Sequence, residues 1–511
     1  MSALGAKRWW ALVAIVLSIL TVGFDSTILN VALPTLATSI NASTDQLQWI
    51  VDAYVLVFAG LLLPMGGFGD RYGRKRLLLI GLALFGGASI LAVFAGNAGQ
   101  LVAARAVMGI GASILTPVSI AILPVLFEPE ERGKAIAALT MGMGIGLPLG
   151  PIIGGILLRH YWWGSIFLVN VPVALIAMIA VAILVPESKD PNPSRIDLPG
   201  ALLSTFGLSI FVYGVIEAPS RGWTDGLVIA ALVGGLLLLT VFVLVERRVT
   251  APMIDLHLFA RRRFALGTAA GTISSFFLIG MLFITPLFLQ AVRGSDALGV
   301  GLRLLPLIGG LFFGAPIGAR ISGKIGTKVP VAAGLLLAGA ALVLGSTTHV
   351  DSSYGFIATW LAVAGFGTGF GLAPAMDTVI GELRRERAGS GTALTMTVRQ
   401  VGGALGVALL GSILSAVYLH RLDTTGRPAP AVDAAKDSVA GAMAVAQKLG
   451  DAALARSATE AFVHGMSVVL LVCAAFALLG AVLVASLMPG RPVAQRAGDG
   501  EESEHELAGI A

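Results

Sequence analysis

The 511-residue chain is 56% hydrophobic and only 12% charged, with a formal net charge of +5. A soluble protein of this size needs far more charged residues on its surface, so this composition excludes a soluble globular protein. The small positive charge does not indicate a nucleic-acid partner, because the basic residues fall in loops between apolar segments. The single cysteine, Cys473, excludes an intramolecular disulfide.

Apolar segments of about 20 residues recur along the chain, and an α-helix needs this length to cross about 30 Å of hydrocarbon. The first segment is too long for a signal peptide and lacks a small-residue cleavage site, so we expect it to be retained as a span. The sequence therefore predicts an all-α polytopic membrane protein. The fourteen predicted spans are 9–36, 48–67, 77–95, 100–123, 133–157, 163–185, 198–216, 227–245, 264–290, 298–318, 329–344, 354–376, 390–418 and 461–487.

The basic residues set the expected orientation. Most of the 34 Lys and Arg residues fall in segments on the same side as the N-terminus, such as the turn that holds Arg71 and Arg74 and the segment 247–263. Cytoplasmic loops carry this excess, so both termini are expected in the cytoplasm. An excess of Arg over Lys, with abundant Ala and Gly, is typical of a GC-rich bacterial genome and favours a bacterial plasma membrane.

Two similar segments, 61–82 and 314–335, indicate an internal repeat. Each contains a small-residue helix end, a basic turn with glycines and a second apolar helix. Repeat units at spans 1–6 and 9–14 place these turns at the same point, which is typical of secondary transporters with a site between two halves. The predicted domains are two six-helix bundles, 1–197 and 263–490, joined by a two-helix insert, 198–262. A long outer loop, 419–460, and a disordered acidic tail, 491–511, complete the prediction.

Several motifs resemble those of the major facilitator superfamily, and of its fourteen-helix drug/proton antiporter (multidrug efflux) subfamily in particular. They are FDSTILNVALP in span 1, GGFGDRYGRKR after span 2, ARAVMGIGAS in span 4, GIGLPLGPIIGG in span 5, LRLLPL in span 10 and TVRQVGGALGVALLG in span 13. The resemblance implies the major facilitator fold and proton-driven efflux of drug-like, cationic or amphiphilic small molecules. A proton-coupled uptake symporter and a lipid or metabolite exporter of the same fold are the alternatives.

Three charged residues fall inside predicted spans of the first half, at a similar expected depth: Asp25, Asp52 and Arg105. Charges at such depth are costly and usually mark routes for ions or substrates. We predict that these residues couple transport to protons, with Asp25 as the carrier and Arg105 holding it ionised in one conformation. A static Asp25–Arg105 ion pair and a structural role for Asp52 are the alternatives.

The turn after span 2 is the predicted cytoplasmic gate. Its glycines permit a tight turn, and Asp70 is placed to accept from a helix N-terminus or to pair with a nearby arginine. The resemblance implies a latch between the halves, whereas a plain positive-inside anchor is the alternative. The second-half turn departs from this pattern, since Gly323 stands where the first has Asp70. The predicted gate residues are Gly66, Asp70, Arg71, Gly73 and Arg74.

Span 5 is unusually rich in glycine and proline. Small residues let helix backbones approach closely, and proline kinks a helix. The resemblance implies a bend and a seal against proton leakage, which favours antiport over symport; ordinary tight packing is the alternative. The predicted antiporter-motif residues are Gly146, Pro148, Gly150, Pro151, Gly154 and Gly155.

Residues of spans 9 and 13 are candidates for a substrate cavity, with lipid-facing packing as the alternative. They are Phe276, Phe277, Met281, Phe283, Gln290, Met396 and Arg399. The sequence contains no metal-ligand cluster, phosphate-binding loop or nucleophile–base pair, so we expect no enzymatic activity, no catalytic residue, no cofactor and no metal. The expected partners are a small-molecule substrate, protons and the lipid bilayer, and the chain is expected to be a monomer.

Overall fold

The computed structural model describes residues 2–40, 42, 44–189, 197–249, 256–383 and 388–490. Thirteen helices within these ranges are long and apolar enough to cross a membrane. A further helix, Pro129–His160, has 32 residues, and at about 1.5 Å per residue it also exceeds about 30 Å of hydrocarbon. Every predicted span therefore occurs as a helix, and the all-α polytopic class is confirmed. The acidic tail lies outside the described residues.

The first six spans and the two-helix insert follow the predicted order. Leu123–Leu126 is a short helix after span 4, and Ser165–Leu168 is another before span 6. The bounds of spans 1–6 are Ser2–Ser39, Thr44–Tyr72, Arg74–Val93, Ala98–Ala121, Pro129–His160 and Asn170–Leu184. The insert, spans 7 and 8, is Leu198–Arg221 and Gly226–Glu246; its helices pack on each other, and span 7 also packs against spans 2 and 13.

The last six spans begin after a short 3₁₀ helix, Leu256–Ala260, and span 9 ends in a π-helical turn, Phe288–Val292. A separate helix, Ala297–Arg303, precedes span 10, whose main helix starts with a proline in its first turn, where the missing N–H costs no hydrogen bond. The bounds of spans 9–14 are Arg262–Leu287, Leu305–Ile325, Lys328–Ser346, Tyr354–Gly381, Ala388–Arg421 and Ala452–Leu487.

The predicted long outer loop is shorter and more ordered than expected. Span 13 extends to Arg421, span 14 starts at Ala452, and two helices, Ala429–Asp437 and Val439–Leu449, lie between them. The Tyr418 hydroxyl donates to the Ala435 carbonyl at 2.8 Å, and the Arg427 guanidinium lies 2.7 Å from an Asp451 carboxylate oxygen. This hydrogen-bonded pairing lowers the pKa of Asp451 to about 2. The ion pair therefore stays charged at neutral and mildly acidic pH and is lost only as the pH falls toward that value.

Each half has its own apolar core, and the two halves meet along reciprocal helix pairs. One core cluster is built from spans 1–6 and a second from spans 9–14. Span 5 packs against spans 10 and 12, while span 13, its counterpart in the repeat, packs against spans 2 and 4. Span 5 and span 13 are therefore the helices through which each half contacts the other.

Glycines spaced four apart bring the backbone of span 5 against that of span 1. A Cβ atom at Gly146 would lie 3.0 Å from the Phe24 nitrogen, and one at Gly150 would lie 2.7 Å from the Ile28 nitrogen. Span 13 repeats the arrangement against span 9, since a Cβ atom at Gly406 would lie 2.8 Å from the Phe276 carbonyl oxygen. We name the span 1–span 5 contact, formed by Gly142, Gly146, Gly150 and Gly154, the glycine seam.

We predict that Gly150→Val destabilises the protein by about 1–3 kcal/mol, because the added atoms would meet backbone that cannot move aside. Gly309→Val is the matched control, since a Cβ atom there would meet no other atom within 4 Å. The melting temperature of the purified protein, followed by size-exclusion chromatography after heating, should fall for Gly150→Val and stay near the parent value for Gly309→Val. Equal melting temperatures for the two variants would contradict the close contact.

Candidate functional site

Asp25 and Arg105 form an ion pair in the interior of the first half. Asp25 is fully buried and Arg105 is 2% exposed. An Asp25 carboxylate oxygen, Oδ2, accepts from Arg105 Nη1 at 2.5 Å, and the other, Oδ1, accepts from Asn170 Nδ2 at 3.1 Å. Both carboxylate oxygens are thus occupied by donors from spans 4 and 6.

Span 2 completes the surroundings of Arg105. Arg105 Nε donates to the Ile50 carbonyl at 3.1 Å, and the Arg105 guanidinium carbon lies 4.2 Å from the centre of the Tyr54 ring. A cation over an aromatic face is stabilised by the ring quadrupole. Arg105 therefore contacts a carboxylate, a carbonyl and a ring, each from a neighbouring helix.

Two polar atoms of this cluster have no hydrogen-bond partner in the part of the chain that the structure describes: the Tyr54 hydroxyl and Asn170 Oδ1, both buried. A buried polar group without a partner costs about 1–3 kcal/mol. The cluster therefore has capacity left for a proton donor, a water molecule or a rearranged partner, which a purely structural ion pair does not need.

Asn170 is a member of the cluster that the sequence analysis missed. The sequence did hold a signal, because Asn170 is the only polar residue in the apolar segment 169–185. A lone amide in a membrane helix usually hydrogen-bonds across helices. Its partner, 145 positions away, could not be identified from one sequence.

Asp52 is half-buried in span 2. It lies two residues from both Ile50 and Tyr54, which contact Arg105 from one face of that helix. Two residues correspond to about 200° of helical rotation, so Asp52 points to the opposite face. The structure thus brings Asp25 and Arg105 together and directs Asp52 away from them.

The predicted gate turn is held by an internal ion pair. Asp70 Oδ1 accepts from Arg74 at 2.7 Å and 3.1 Å, and both side chains are buried. Gly73 between them has φ +106°, a conformation that disfavours other residues. Gly326, at the matching place in the second-half turn, has φ +87°. The repeat seen in the sequence therefore extends to backbone conformation.

The gate turn is docked on the end of span 6 through Glu187, another residue that the sequence analysis missed. The Glu187 carboxylate accepts from the backbone N–H groups of Lys75 and Arg76 at 3.1 Å and 3.2 Å. A Cβ atom at Gly73 would lie 2.7 Å from the same carboxylate. A carboxylate at the first turn of span 3 stabilises the free N–H groups and the helix dipole there.

The remaining predicted gate residues, Gly66 and Arg71, lie in the last turns of span 2, on either side of Gly69. Gly66 and Gly69 are buried, and a Cβ atom at Gly69 would lie 2.9 Å from a Val118 methyl carbon on span 4. The Arg71 guanidinium carbon lies 5.8 Å from the centre of the Tyr72 ring. Each of these contacts stays within the first half.

The antiporter-motif glycines lie against the segment of span 1 that carries Asp25. Gly146 and Gly150 face Phe24, and Gly154 faces Ile28, whose Cγ1 atom would lie 2.8 Å from an added Cβ. Gly155 is half-buried, whereas the side chains of Pro148 and Pro151 lie outside the described residues. The glycine seam thus holds span 5 against the part of span 1 that carries Asp25.

The predicted cavity residues separate into two groups. Phe276, Phe277 and Met281 pack in the apolar core of the second half, and Phe276 also contacts the Phe476 ring at 4.8 Å between centres. Phe283 packs partly buried against the same core, and Gln290 is exposed in the π-helical turn at the C-terminal end of span 9. Met396 and Arg399 form the second group, since Arg399 Nη1 lies 3.7 Å from the Met396 sulfur.

Comparisons with known proteins agree with this architecture. The family profile of the Major Facilitator Superfamily matches residues 15–407. The puromycin resistance protein pur8 of Streptomyces alboniger is 35% identical over 435 residues, covering 84% of this chain and 86% of that protein. The multidrug efflux pump LfrA of Mycolicibacterium smegmatis is 32% identical over 484 residues, covering 94% of this chain and 96% of that protein.

A solved structure shares the fold. The proton:xylose symporter XylE, bound to 6-bromo-6-deoxy-D-glucose, superposes with a TM-score of 0.60 at 14% identity, covering 95% of this chain and 97% of that one. At that identity the likeness concerns the arrangement of helices alone. The match of the family profile over residues 15–407, more than half of the chain, shows that the chain belongs to the major facilitator superfamily.

Proposed function

We propose that the protein exports drug-like small molecules in exchange for protons across the bacterial plasma membrane, with both termini in the cytoplasm. The names of its relatives, which include a resistance protein and a multidrug efflux pump, support export of drugs. The observation that carries the proton part is the Asp25–Arg105 ion pair, which is enclosed among apolar helices and accepts a hydrogen bond from the amide nitrogen of Asn170.

Asp25 is the proposed proton carrier. While Arg105 donates to Asp25, the guanidinium balances the negative charge of the carboxylate. If spans 1 and 4 separate during the transport cycle, an apolar environment favours the protonated form instead. The contact with Arg105 thus differs between two conformations, which is the condition for coupling a conformational equilibrium to a proton.

The glycine seam supports exchange rather than symport. Gly146 and Gly150 bring the backbone of span 5 against span 1 at Phe24 and Ile28, on either side of Asp25 in sequence, and span 5 also packs against spans 10 and 12 of the other half. A movement of the halves that shifts span 5 therefore acts directly on the segment that carries Asp25. We propose that this contact limits proton leakage and transmits the movement.

We predict that Asp25→Asn abolishes proton-coupled export while leaving the fold intact, since asparagine keeps the volume and hydrogen bonds but cannot release a proton. The measurement is drug-driven proton movement and drug export in inverted vesicles with an imposed pH gradient. Asp433→Asn, an exposed residue of the outer helices, is the matched control and should behave as the parent.

Parent-level export by Asp25→Asn would show that Asp25 is structural. The direction of drug movement in the same vesicles decides between export and the alternative of an uptake symporter, because in a symporter drug and protons would move the same way. A pH gradient with no effect on the parent would contradict the proton part of the proposal.

The gate turn is proposed to limit the rate of the conformational change. We predict that Asp70→Asn and Gly73→Leu reach the membrane normally but lower the turnover rate, because the first loses the Arg74 ion pair and the second clashes with Glu187. Gly323→Leu in the second-half turn is the control, since a Cβ atom there meets nothing within 4 Å. Export rates per molecule should fall for the two gate variants only; normal rates in both would reduce the turn to a topology anchor.

A further inference from the structure

Arg399 of span 13 is a cation without a carboxylate partner among the described residues. At about 1.5 Å per residue it lies roughly 17 Å along its helix from Ala388, well inside the span. Two buried arginines of the described structure are paired with carboxylates: Arg105 with Asp25 and Arg74 with Asp70. The carboxylate nearest to its contact residues in sequence, Asp377, interacts instead with Arg132 and Arg263.

The hydrogen bonds of Arg399 are few and weak. Its Nε donates to the Ser275 hydroxyl at 3.0 Å, and its Nη1 points to the sulfur atoms of Met376 at 3.5 Å and Met396 at 3.7 Å. A guanidinium has five N–H donors, and a thioether sulfur is a weak acceptor. Within the described ranges, Nη2 donates to no residue. The two N–H donors of Nη2 are therefore left for another acceptor.

The backbone of span 9 makes room for this side chain. A Cβ atom at Gly271 would lie 3.2 Å from Arg399 Cδ, so the arginine lies across a glycine. Thr392, two helical turns earlier on the same face of span 13, is fully buried, and its hydroxyl has no hydrogen-bond partner in the described structure. A second unsatisfied polar group thus lies on the face that carries Arg399.

The site lies where the two halves meet. Met376 and Met396, with Leu372 and Ile380 of span 12, belong to the apolar cluster whose other members come mainly from spans 1–6. Secondary transporters bind their substrates near the middle of the membrane, between the repeated halves. Methionine side chains are flexible and polarisable, and so adapt to apolar surfaces of different shape. The surroundings of Arg399 therefore combine an adaptable apolar wall with one unpaired positive charge.

We propose that Arg399 binds an anionic oxygen of the transported molecule, so that the protein exports amphiphiles that carry a carboxylate, a sulfonate or a phenolate. This inference rests on the proposed export function. A planar guanidinium holds such oxygens with two parallel hydrogen bonds. Asp25, in contrast, presents no free oxygen to a cationic substrate, since Arg105 and Asn170 occupy both.

The test uses two probes with the same ring skeleton, 8-anilinonaphthalene-1-sulfonate and N-phenyl-1-naphthylamine, which lacks the sulfonate. Binding to the full-length protein in nanodiscs is measured by calorimetry, with empty nanodiscs subtracted. The parent should bind the sulfonate more tightly than the uncharged probe. Arg399→Gln should weaken sulfonate binding by roughly tenfold to a hundredfold, the range of a charge-assisted hydrogen bond, and change uncharged-probe binding by less than about threefold.

Two further variants keep the test decisive. Arg399→Lys retains the charge without the planar fork, so it should retain part of the preference, and it replaces Arg399→Gln if that variant does not fold. Arg303→Gln is the control, because Arg303 is half-buried in the same half and donates to Ser295; both probes should bind it as they bind the parent.

A parent that does not prefer the sulfonate, or Arg399 variants that weaken both probes equally, would overturn the proposal. Binding is measured without a pH gradient, so the result does not depend on Asp25. A failure of proton-coupled export in vesicles is thus distinguishable from a failure of anion recognition at Arg399.

Discussion

The Asp25–Arg105 ion pair constrains the first half in the conformation that the structure shows, because each charge offsets the cost of burying the other. Span 1 supplies the carboxylate, span 4 the guanidinium, span 6 the Asn170 amide, and span 2 the Ile50 carbonyl and the Tyr54 ring. Four helices therefore need a common register at this one point.

Span 5 connects the Asp25–Arg105 ion pair to the other half of the protein. Its glycines bring its backbone against span 1 beside Asp25, and elsewhere on its surface it packs against spans 10 and 12. Span 13 contacts span 9 and the first half in the corresponding way. Each half thus contacts the other through one helix rich in small residues. A relative movement of the halves that displaces spans 5 and 13 therefore also displaces the backbones of spans 1 and 9.

The two halves share this scaffold but differ in their interior chemistry. The first half has the paired charges of Asp25 and Arg105, whereas the second has Arg399 beside Ser275 and two methionines. The turns also differ in charge pairing, since Asp70 pairs with Arg74 in the first half and Gly323 replaces the aspartate in the second. On the proposed function, the first half handles the proton and the gate, and the second half recognises the transported molecule.

The sequence was sufficient where one dominant physical effect acts locally. Fourteen spans could be predicted because hydrophobic length alone determines them, and the repeat because its glycine turns need the same backbone conformation at Gly73 and Gly326. An Asp25–Arg105 ion pair was one of the two interpretations of these residues that the sequence analysis gave. The roles of Asn170 and Glu187 could not be predicted, because each acts on a helix distant in sequence. The two helices between spans 13 and 14 were missed because, at 9 and 11 residues, they are too short for a search based on span length.

The central claim is that Asp25 alternates between an ionised and a protonated state during transport. Infrared difference spectroscopy of the purified protein in lipid, recorded between neutral and acidic pH, reports protonation of a buried carboxyl group directly. The account predicts a carboxylic-acid band that appears on acidification of the parent, shifts when a drug is added and is missing from Asp25→Asn. A spectrum in which Asp25→Asn keeps every acid-induced carboxyl band of the parent would contradict it.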